Sequence, residues 1–326
     1  MQTMEHEHAT KNLPRVAVCI ATYQRTEPLR DLLAALALLT FKKVRAPSIE
    51  IIIVDNDSSR TAEDVCKIKG YPWSIRYFCE PIRGIARARN RAIGEVTDAD
   101  FLAFVDDDEL PGARWLDELL WAQWQFQADV VSGPVLPAYS IAVPKWVRNG
   151  GFFRRPIFRS GQVVNLCSTN NVLIRSSVLC KVSGFDELFN LTGGEDTHFF
   201  LRVRESGFRM IFSREAVVYE PVTEKRANIP WLLRRGYQSG NSWALCERKI
   251  KPRDSATRGF KGIGHICRGL AHALVSMWIG KSAIVRDLQE LCAGAGMLAG
   301  VLGHRFQPYD DRAMQATGRA ITLRRR

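Results

Sequence analysis

Between residues 16 and 107 the chain repeats one alternation, a short apolar, β-branched run followed by a stretch of helical periodicity. "VAVCIAT" (16–22) precedes "EPLRDLLAALALL" (27–39), and "IEIIIVDN" (49–56), "IRYFCE" (75–80), "GIARARNRAIGEV" (84–96) and "FLAFVDD" (101–107) continue the series. Strands that are apolar along their whole length need cover on both faces, and helices between them make the strands parallel. The pattern predicts a doubly wound α/β domain. At 326 residues, 46% of them hydrophobic, the chain is long enough for one large domain with a substantial appendage.

Such sheets bind ligands beyond the carboxyl ends of their strands, near the switch in strand order. Those ends read "ATYQR", "VDNDSS" and "VDDDE". The first turn lacks G-x-G-x-x-G and the chain has no G-x-x-x-x-G-K-[ST], which argues against a dinucleotide site and a phosphate loop. Asp106 and Asp108 stand two apart, so both side chains can reach one side of an extended turn while Asp107 points back toward the protein. Carboxylates this close are tolerated when a hard cation such as Mg²⁺ or Mn²⁺ neutralises them and completes its shell with phosphate oxygens and water. The competing reading is a solvated acidic turn. Asp55 suits the imide N–H of a uracil or ribose hydroxyls, or serves as a cap. Thr22, Tyr23 and Arg25 offer a hydroxyl, an aromatic face and a cation to a base and its phosphates.

Farther along, Pro111 is placed at the first turn of a helix, "PGARWLDELLWAQWQFQ", and "DVVSGPVLP" (129–137) reads as a strand. The Pro-, Gly- and aromatic-rich stretch at 138–165 has the length of a binding loop. "TNNVLIRSSVL" (169–179) reads as another strand, and "GGEDTHFFLRVRESG" (193–207) as a glycine turn opening a helix. Glu195 and Asp196 at that helix start are either caps favoured by the helix dipole or, on a flexible Gly193–Gly194 loop, catalytic: Asp196 as general base and Glu195 supporting the acceptor. His198 lies one turn on, within possible reach of a metal. Arg234 and Arg235 suit a diphosphate or lipid phosphate, or are ordinary surface residues.

The net charge is +12, and +9 of it falls between Gly236 and the end, with 15 Lys plus Arg against 6 Asp plus Glu. There "GIGHICRGLAHALVSMWIGKSAIV" and "DLQELCAGAGMLAGVLG" are helix-length and flanked by cations, but interrupted or shorter than the ~20 residues of a bilayer span. Interfacial or reentrant helices on an anionic membrane surface fit better; the alternative is a helical subdomain packed on the sheet. No nucleic-acid motif accompanies the charge. The opening "MQTMEHEHATKN" reads as a disordered tail without a secretory signal, its His6 and His8 solvent-exposed. Eight cysteines without C-x-x-C spacing read as buried thiols in a reducing cytosol.

In this order, "VAVCIATYQR", "IIIVDNDS", "GIARARNRAI", "FVDDDELPGARWL", "TNNVLIRSSVL" and "GFDELFNLTGGEDTHFFLRVRESG" resemble glycosyltransferase family 2, the inverting enzymes of GT-A fold, over about residues 15–240. The resemblance implies a Rossmann-like, mostly parallel sheet with helices on both faces. It divides the chain into a tail (1–14), a GT-A domain (15–240) and a basic helical membrane-associating region (241–326). It also implies a nucleotide-sugar donor, usually UDP-linked, held by Thr22, Tyr23, Arg25, Asp55, Asp106 and Asp107. Asp106 and Asp108 then hold Mg²⁺ or Mn²⁺, Asp196 is the base, and Glu195, Arg234 and Arg235 lie on the acceptor side. Within the family, "DDDELP" and "GGEDTHFFLR" look most like the bacterial glucosyltransferases of exopolysaccharide repeat units, such as those of succinoglycan synthesis, whose acceptors are polyprenyl-diphosphate sugars. That implies work at the cytoplasmic face of the inner membrane, peripheral or monotopic, with polysaccharide-assembly proteins as partners. Q-x-x-R-W of the processive synthases is missing, so one sugar is expected per encounter. Transfer to polyprenyl phosphate or lipopolysaccharide core, and nucleotide-sugar binding without turnover, are the rival readings.

Overall fold

The computed structural model describes residues 13–309. The expected tail up to Asn12, with His6 and His8, and the last part of the basic region, 310–326, lie outside the described residues. Seven strands build the central sheet: β1 (Arg15–Thr22), β2 (Ser48–Asp55), β3 (Ser74–Cys79), β4 (Phe101–Val105), β6 (Val130–Ser132), β8 (Asn171–Arg175) and β9 (Met210–Phe212), in the order β3-β2-β1-β4-β8-β6-β9. Neighbours run parallel except at β8, which is antiparallel to both β4 and β6. A second, three-stranded sheet has the order β5 (Leu110–Pro111), β10 (Val218–Val222), β7 (Val135–Tyr139).

The continuous apolar strands do divide between two faces. Val16, Val18 and Ile20 of β1, with Ile49, Ile51 and Ile53 of β2, meet α1 (Thr26–Ala37) and α3 (Trp115–Phe126). The intervening Ala17, Cys19, Ile52 and Val54 meet α2 (Ile85–Glu95), α5 (Ser176–Lys181) and α6 (Glu195–Glu205). Leu29, Leu32, Leu33 and Leu36 of α1 are all buried. At about 2 kcal/mol per buried leucine, that stripe fixes which face α1 covers.

Three local expectations change. Pro111 starts no helix: it pairs with Val218 in β5, and α3 begins at Trp115. The run 129–137 is two strands in different sheets, broken at Gly133, where a Cβ would sit 2.1 Å from the Ala216 carbonyl oxygen. Only the first half of 169–179 is strand; Ser176 begins α5. The 138–165 stretch contains α4 (Lys145–Gly150) and has its own core, in which Val143, Val147 and Phe153 pack with Val222, Leu232 and Val285.

The remaining chain forms α7 (Ile229–Ile250), α8 (Ser255–Ser276) and α9 (Lys281–Val301). The boundary expected at 240/241 falls inside α7. Glycines let α7 and α9 meet backbone to backbone: a Cβ on Gly240 would lie 1.9 Å from the Ala293 carbonyl oxygen, and one on Gly296 would lie 2.0 Å from that of Tyr237. Among the described residues no helix is long and apolar enough to cross a membrane. The cysteines are not uniformly buried: Cys19, Cys66, Cys167 and Cys246 are, whereas Cys180 and Cys267 are exposed.

Candidate active site

The sheet's order reverses at β1, with β2 on one side and β4 on the other, so the carboxyl ends of these three strands meet at one edge. There the triple aspartate is tied to the first turn. Thr22 Oγ1 donates to Asp107 Oδ2 at 2.7 Å, and Arg25 Nη1 lies 2.9 Å from both Asp107 Oδ1 and Asp108 Oδ2. Asp107 is 4% exposed, and burial pushes its carboxyl up to about 6 against the pull of Arg25. It points into the protein, as its position between two outward neighbours suggested. Each of its oxygens takes one bond, and so it orders Thr22 and Arg25 from within the protein.

Asp106 and Asp108 are partly exposed. Arg89 Nη2 holds Asp106 Oδ1 at 2.9 Å, while Arg25 holds one oxygen of Asp108. The second oxygen of each has no hydrogen bond among the described residues. Two outward oxygens suit a hard cation that draws the rest of its shell from phosphate and water. Asp106 and Asp108 thus fit such an ion once a diphosphate is present, although no cluster of three or more His, Cys, Asp or Glu side chains among the described residues would hold one alone.

Arg89 links the two halves of the site. It is 5% exposed on α2, and its other nitrogen, Nη1, pairs with Glu195 Oε1 at the start of α6. Burial alone would lower its affinity for a proton, but Glu195 and Asp106 more than offset that and hold it charged. Glu195 is buried, and desolvation raises its carboxyl to about 7, Arg89 opposing. Asp196 is half-buried; its Oδ2 accepts from Ser168 Oγ at 3.0 Å and its Oδ1 from the Thr197 backbone N–H at 2.6 Å. A chain Asp106–Arg89–Glu195 therefore runs to the residue preceding Asp196.

The glycine turn before α6 is clamped. Gly193 and Gly194 take φ of +71° and +92°, a region costly for other residues. α7 packs against them: Ser242 Oγ donates to the Thr192 carbonyl at 3.2 Å, Cys246 Sγ to that of Gly194 at 3.2 Å, and a Cβ on Gly194 would lie 3.0 Å from Ser242 Cβ. This corrects the expectation of a flexible loop. Arg235 is exposed and donates to Gln238, which abuts Gly193; Arg234 lies over Phe306, 5.5 Å from its ring centroid.

Asp55 is fully buried, its Oδ1 accepting from Asp57 N at 3.1 Å and its Oδ2 from Ala62 N at 2.8 Å and Tyr77 Oη at 3.1 Å. It organises the turn after β2, buried away from the surface. Tyr23 carries the Arg83 guanidinium 3.3 Å from its ring centroid. His198 is buried against Phe189, and burial lowers its imidazole to about 4. It packs in the core, with Nδ1 3.8 Å from Asp186.

Sequence reasoning passed over Arg89, Ser168, and Glu109, whose Oε1 accepts from Asn170 Nδ2 at 2.9 Å. Burial raises Glu109 well above the usual carboxyl range. Arg89 had a legible signal: it falls among Ala86, Ala88 and Ala92 on the buried side of α2. An arginine there needs a buried acidic partner.

A mostly parallel sheet with a carboxylate-rich edge at its switch point, completed by a smaller sheet, defines a glycosyltransferase of GT-A fold. The description "Glycosyl transferase family 2" matches residues 17–189, and the chain belongs to that family. It is 33% identical over 232 residues to the succinoglycan biosynthesis protein ExoM of Rhizobium meliloti (strain 1021), spanning 70% of this chain and 73% of that one. Identity to validoxylamine A glucosyltransferase of Streptomyces hygroscopicus subsp. limoneus is 28% over 260 residues, 69% of this chain and 56% of the other. Two solved structures share the fold at 17% identity. S. aureus TarS 1-349 in complex with UDP has a TM-score of 0.50, covering 90% of this chain and 93% of its own. The mannosyltransferase PcManGT from Pyrobaculum calidifontis, in complex with GDP-Man and Mn²⁺, has a TM-score of 0.54, covering 96% and 81%.

Proposed function

We propose that the protein is an inverting glycosyltransferase that moves one hexose, glucose, from a UDP-sugar to a polyprenyl-diphosphate-linked saccharide in exopolysaccharide synthesis. The observation that carries this reading is the buried Asp106–Arg89–Glu195 chain, which ties the donor-side carboxylates to Asp196. Donor and acceptor then meet in one rigid site. The similarity to a succinoglycan biosynthesis protein supports the exopolysaccharide assignment, and the glucosyltransferase relative supports glucose.

Asp196, oriented by Ser168 and the Thr197 backbone, takes the proton of the acceptor hydroxyl as that oxygen forms its bond to the anomeric carbon. Attack opposite the leaving diphosphate inverts the configuration. Asp106 and Asp108 would hold Mg²⁺ or Mn²⁺, which supplies positive charge for the departing diphosphate. Tyr23 with Arg83 over its ring offers the nucleobase a flat platform. Arg235 stands on the acceptor side.

The test is transfer from UDP-glucose to a polyprenyl-diphosphate oligosaccharide, with the new linkage read by NMR. A β-linked product from the α-linked donor is expected. Retention of configuration, or transfer to polyprenyl phosphate and not to the diphosphate saccharide, would refute the reading. On this reading the protein works at the cytoplasmic face of the inner membrane, peripheral or monotopic, beside polysaccharide-assembly proteins.

A further inference from the structure

α7 and α9 bury small residues against each other, and α8 does the same on its inner side. A Cβ on Gly262 would lie 3.0 Å from Leu298, and one on Gly269 would lie 2.8 Å from the Asp287 carbonyl oxygen. Those glycines are seven residues apart and share one face. Ile266 packs inward against Gly294, but other large apolar residues of α8 stay exposed. Phe260 is 74% exposed, Ile263 48% and Leu270 54%, and the turn after the helix adds Met277, Trp278 and Ile279 at 69%, 92% and 70%. A helix at the edge of a soluble domain normally buries its large side chains and exposes its small ones. Here glycines face inward while Phe260, Ile263 and Leu270 stay exposed along one side of the helix, an apolar strip of the kind that marks an interaction site.

Charge selects the occupant. Exposed Lys261 and His272 stand on the other side of α8 from the apolar stripe. A cavity of about 230 Å³ between α6, α7 and α8 is lined by Arg204, Lys251, Arg258 and Lys261 against only two acids, Glu247 and Asp254. Arg258 is 2% exposed; its Nε is ion-paired with Glu247 at 3.4 Å and its Nη2 donates to the Glu247 and Lys251 carbonyls, while Nη1 makes no hydrogen bond among the described residues. Apolar side chains with cations on the same helix, and a tryptophan at the end, match the headgroup boundary of an anionic bilayer.

The location suits the reaction. Lys281, two residues beyond Ile279, sits over the Trp146 ring, 4.7 Å from its centroid, and Ser282 Oγ donates to the Trp146 carbonyl at 2.8 Å. Trp146 belongs to α4, inside the 138–165 stretch read as a binding loop. We propose that the outer face of α8 and the 277–279 turn form the surface by which the protein lies on anionic lipid, holding the α4 segment at the membrane where a lipid-linked acceptor enters. This rests on the proposed lipid-linked acceptor.

The test is co-sedimentation of the full chain with phosphatidylcholine vesicles, with and without phosphatidylglycerol, for wild type and for Phe260→Ser/Leu270→Ser/Trp278→Ser. Binding to the anionic vesicles is expected to exceed binding to neutral ones by about tenfold and to fall by about as much in the variant. Lipid-free UDP release from UDP-glucose is measured in parallel and is expected to be unchanged. If the triple variant does not fold, Trp278→Ser alone, in a solvent-exposed turn, carries the comparison. No binding to anionic vesicles, equal binding by the variant, or binding indifferent to lipid charge would each overturn the proposal. So would a lipid-free dimer in sedimentation velocity that the variant abolishes, since the face would then belong to a second copy. UDP release without vesicle binding refutes the surface alone; vesicle binding without UDP release refutes the reaction alone.

Discussion

Replacing Arg89 with alanine removes the one cation that Asp106 and buried Glu195 share. Breaking a buried ion pair from one side costs about 3–5 kcal/mol, because the partner keeps its desolvation penalty without its compensation. The cost must depend on pH. Burial already raises Glu195 from its ordinary 4.5 to about 7, with Arg89 pulling the other way. A carboxyl raised on folding holds its proton more tightly in the native state. Its neutral form favours folding at low pH, and that contribution is lost as pH rises from the unfolded value to the folded one. Without Arg89 the folded value moves higher still, so the loss continues above pH 7. At ~1.4 kcal/mol per pH unit, the stability gap between wild type and Arg89→Ala should widen by about 2 kcal/mol between pH 6 and 8.5. Urea unfolding at both pH values reads this directly. In a Glu195→Gln background the Arg89→Ala cost should shrink and become nearly flat with pH. A cost equal at both pH values and additive with Glu195→Gln would refute the coupling.

Asp196→Asn should lower transfer by about 10²–10⁴-fold while leaving donor affinity unchanged by calorimetry, since the side chain lies on the acceptor side of the Arg89 link. Asp55→Ala leaves the Ala62 N–H and the Tyr77 hydroxyl without their acceptor and should cost about 3 kcal/mol in urea unfolding. A variant of full stability that had lost only donor binding would restore Asp55 to the nucleobase. Gly194→Ala places a methyl at φ +92° against Ser242 and should cost about 1–3 kcal/mol, with transfer falling more than donor binding.

The mostly parallel sheet, the acidic strand ends and the start of α6 were legible because each follows from local pattern. Four apolar runs spaced by helices leave few alternatives to a parallel sheet, and Gly193–Gly194 before Glu195 marks a helix start at Glu195. Partnerships across the chain were not legible. Asp55 at a strand end looks the same in sequence whether it faces a ligand or caps Ala62, and only the turn after β2 decides. The glycine turn looked flexible because its restraint comes from Ser242 and Cys246, about 50 residues later. Pro111 satisfied the rule for a helix start, yet a two-residue edge strand also tolerates a residue with no N–H. The exposed apolar strip of α8 needed the position of α9, since sequence alone does not say whether glycine or phenylalanine faces inward.

The central claim is that the carboxyl end of β4 handles the diphosphate of a sugar nucleotide with the help of a divalent cation. The most direct measurement is nucleoside diphosphate release from a panel of sugar nucleotides in Mn²⁺, Mg²⁺ or EDTA, beside an Asp108→Ala variant. The account predicts release of UDP from one sugar that requires the metal and is lost in the variant. UDP release that persists in EDTA and in Asp108→Ala would contradict it.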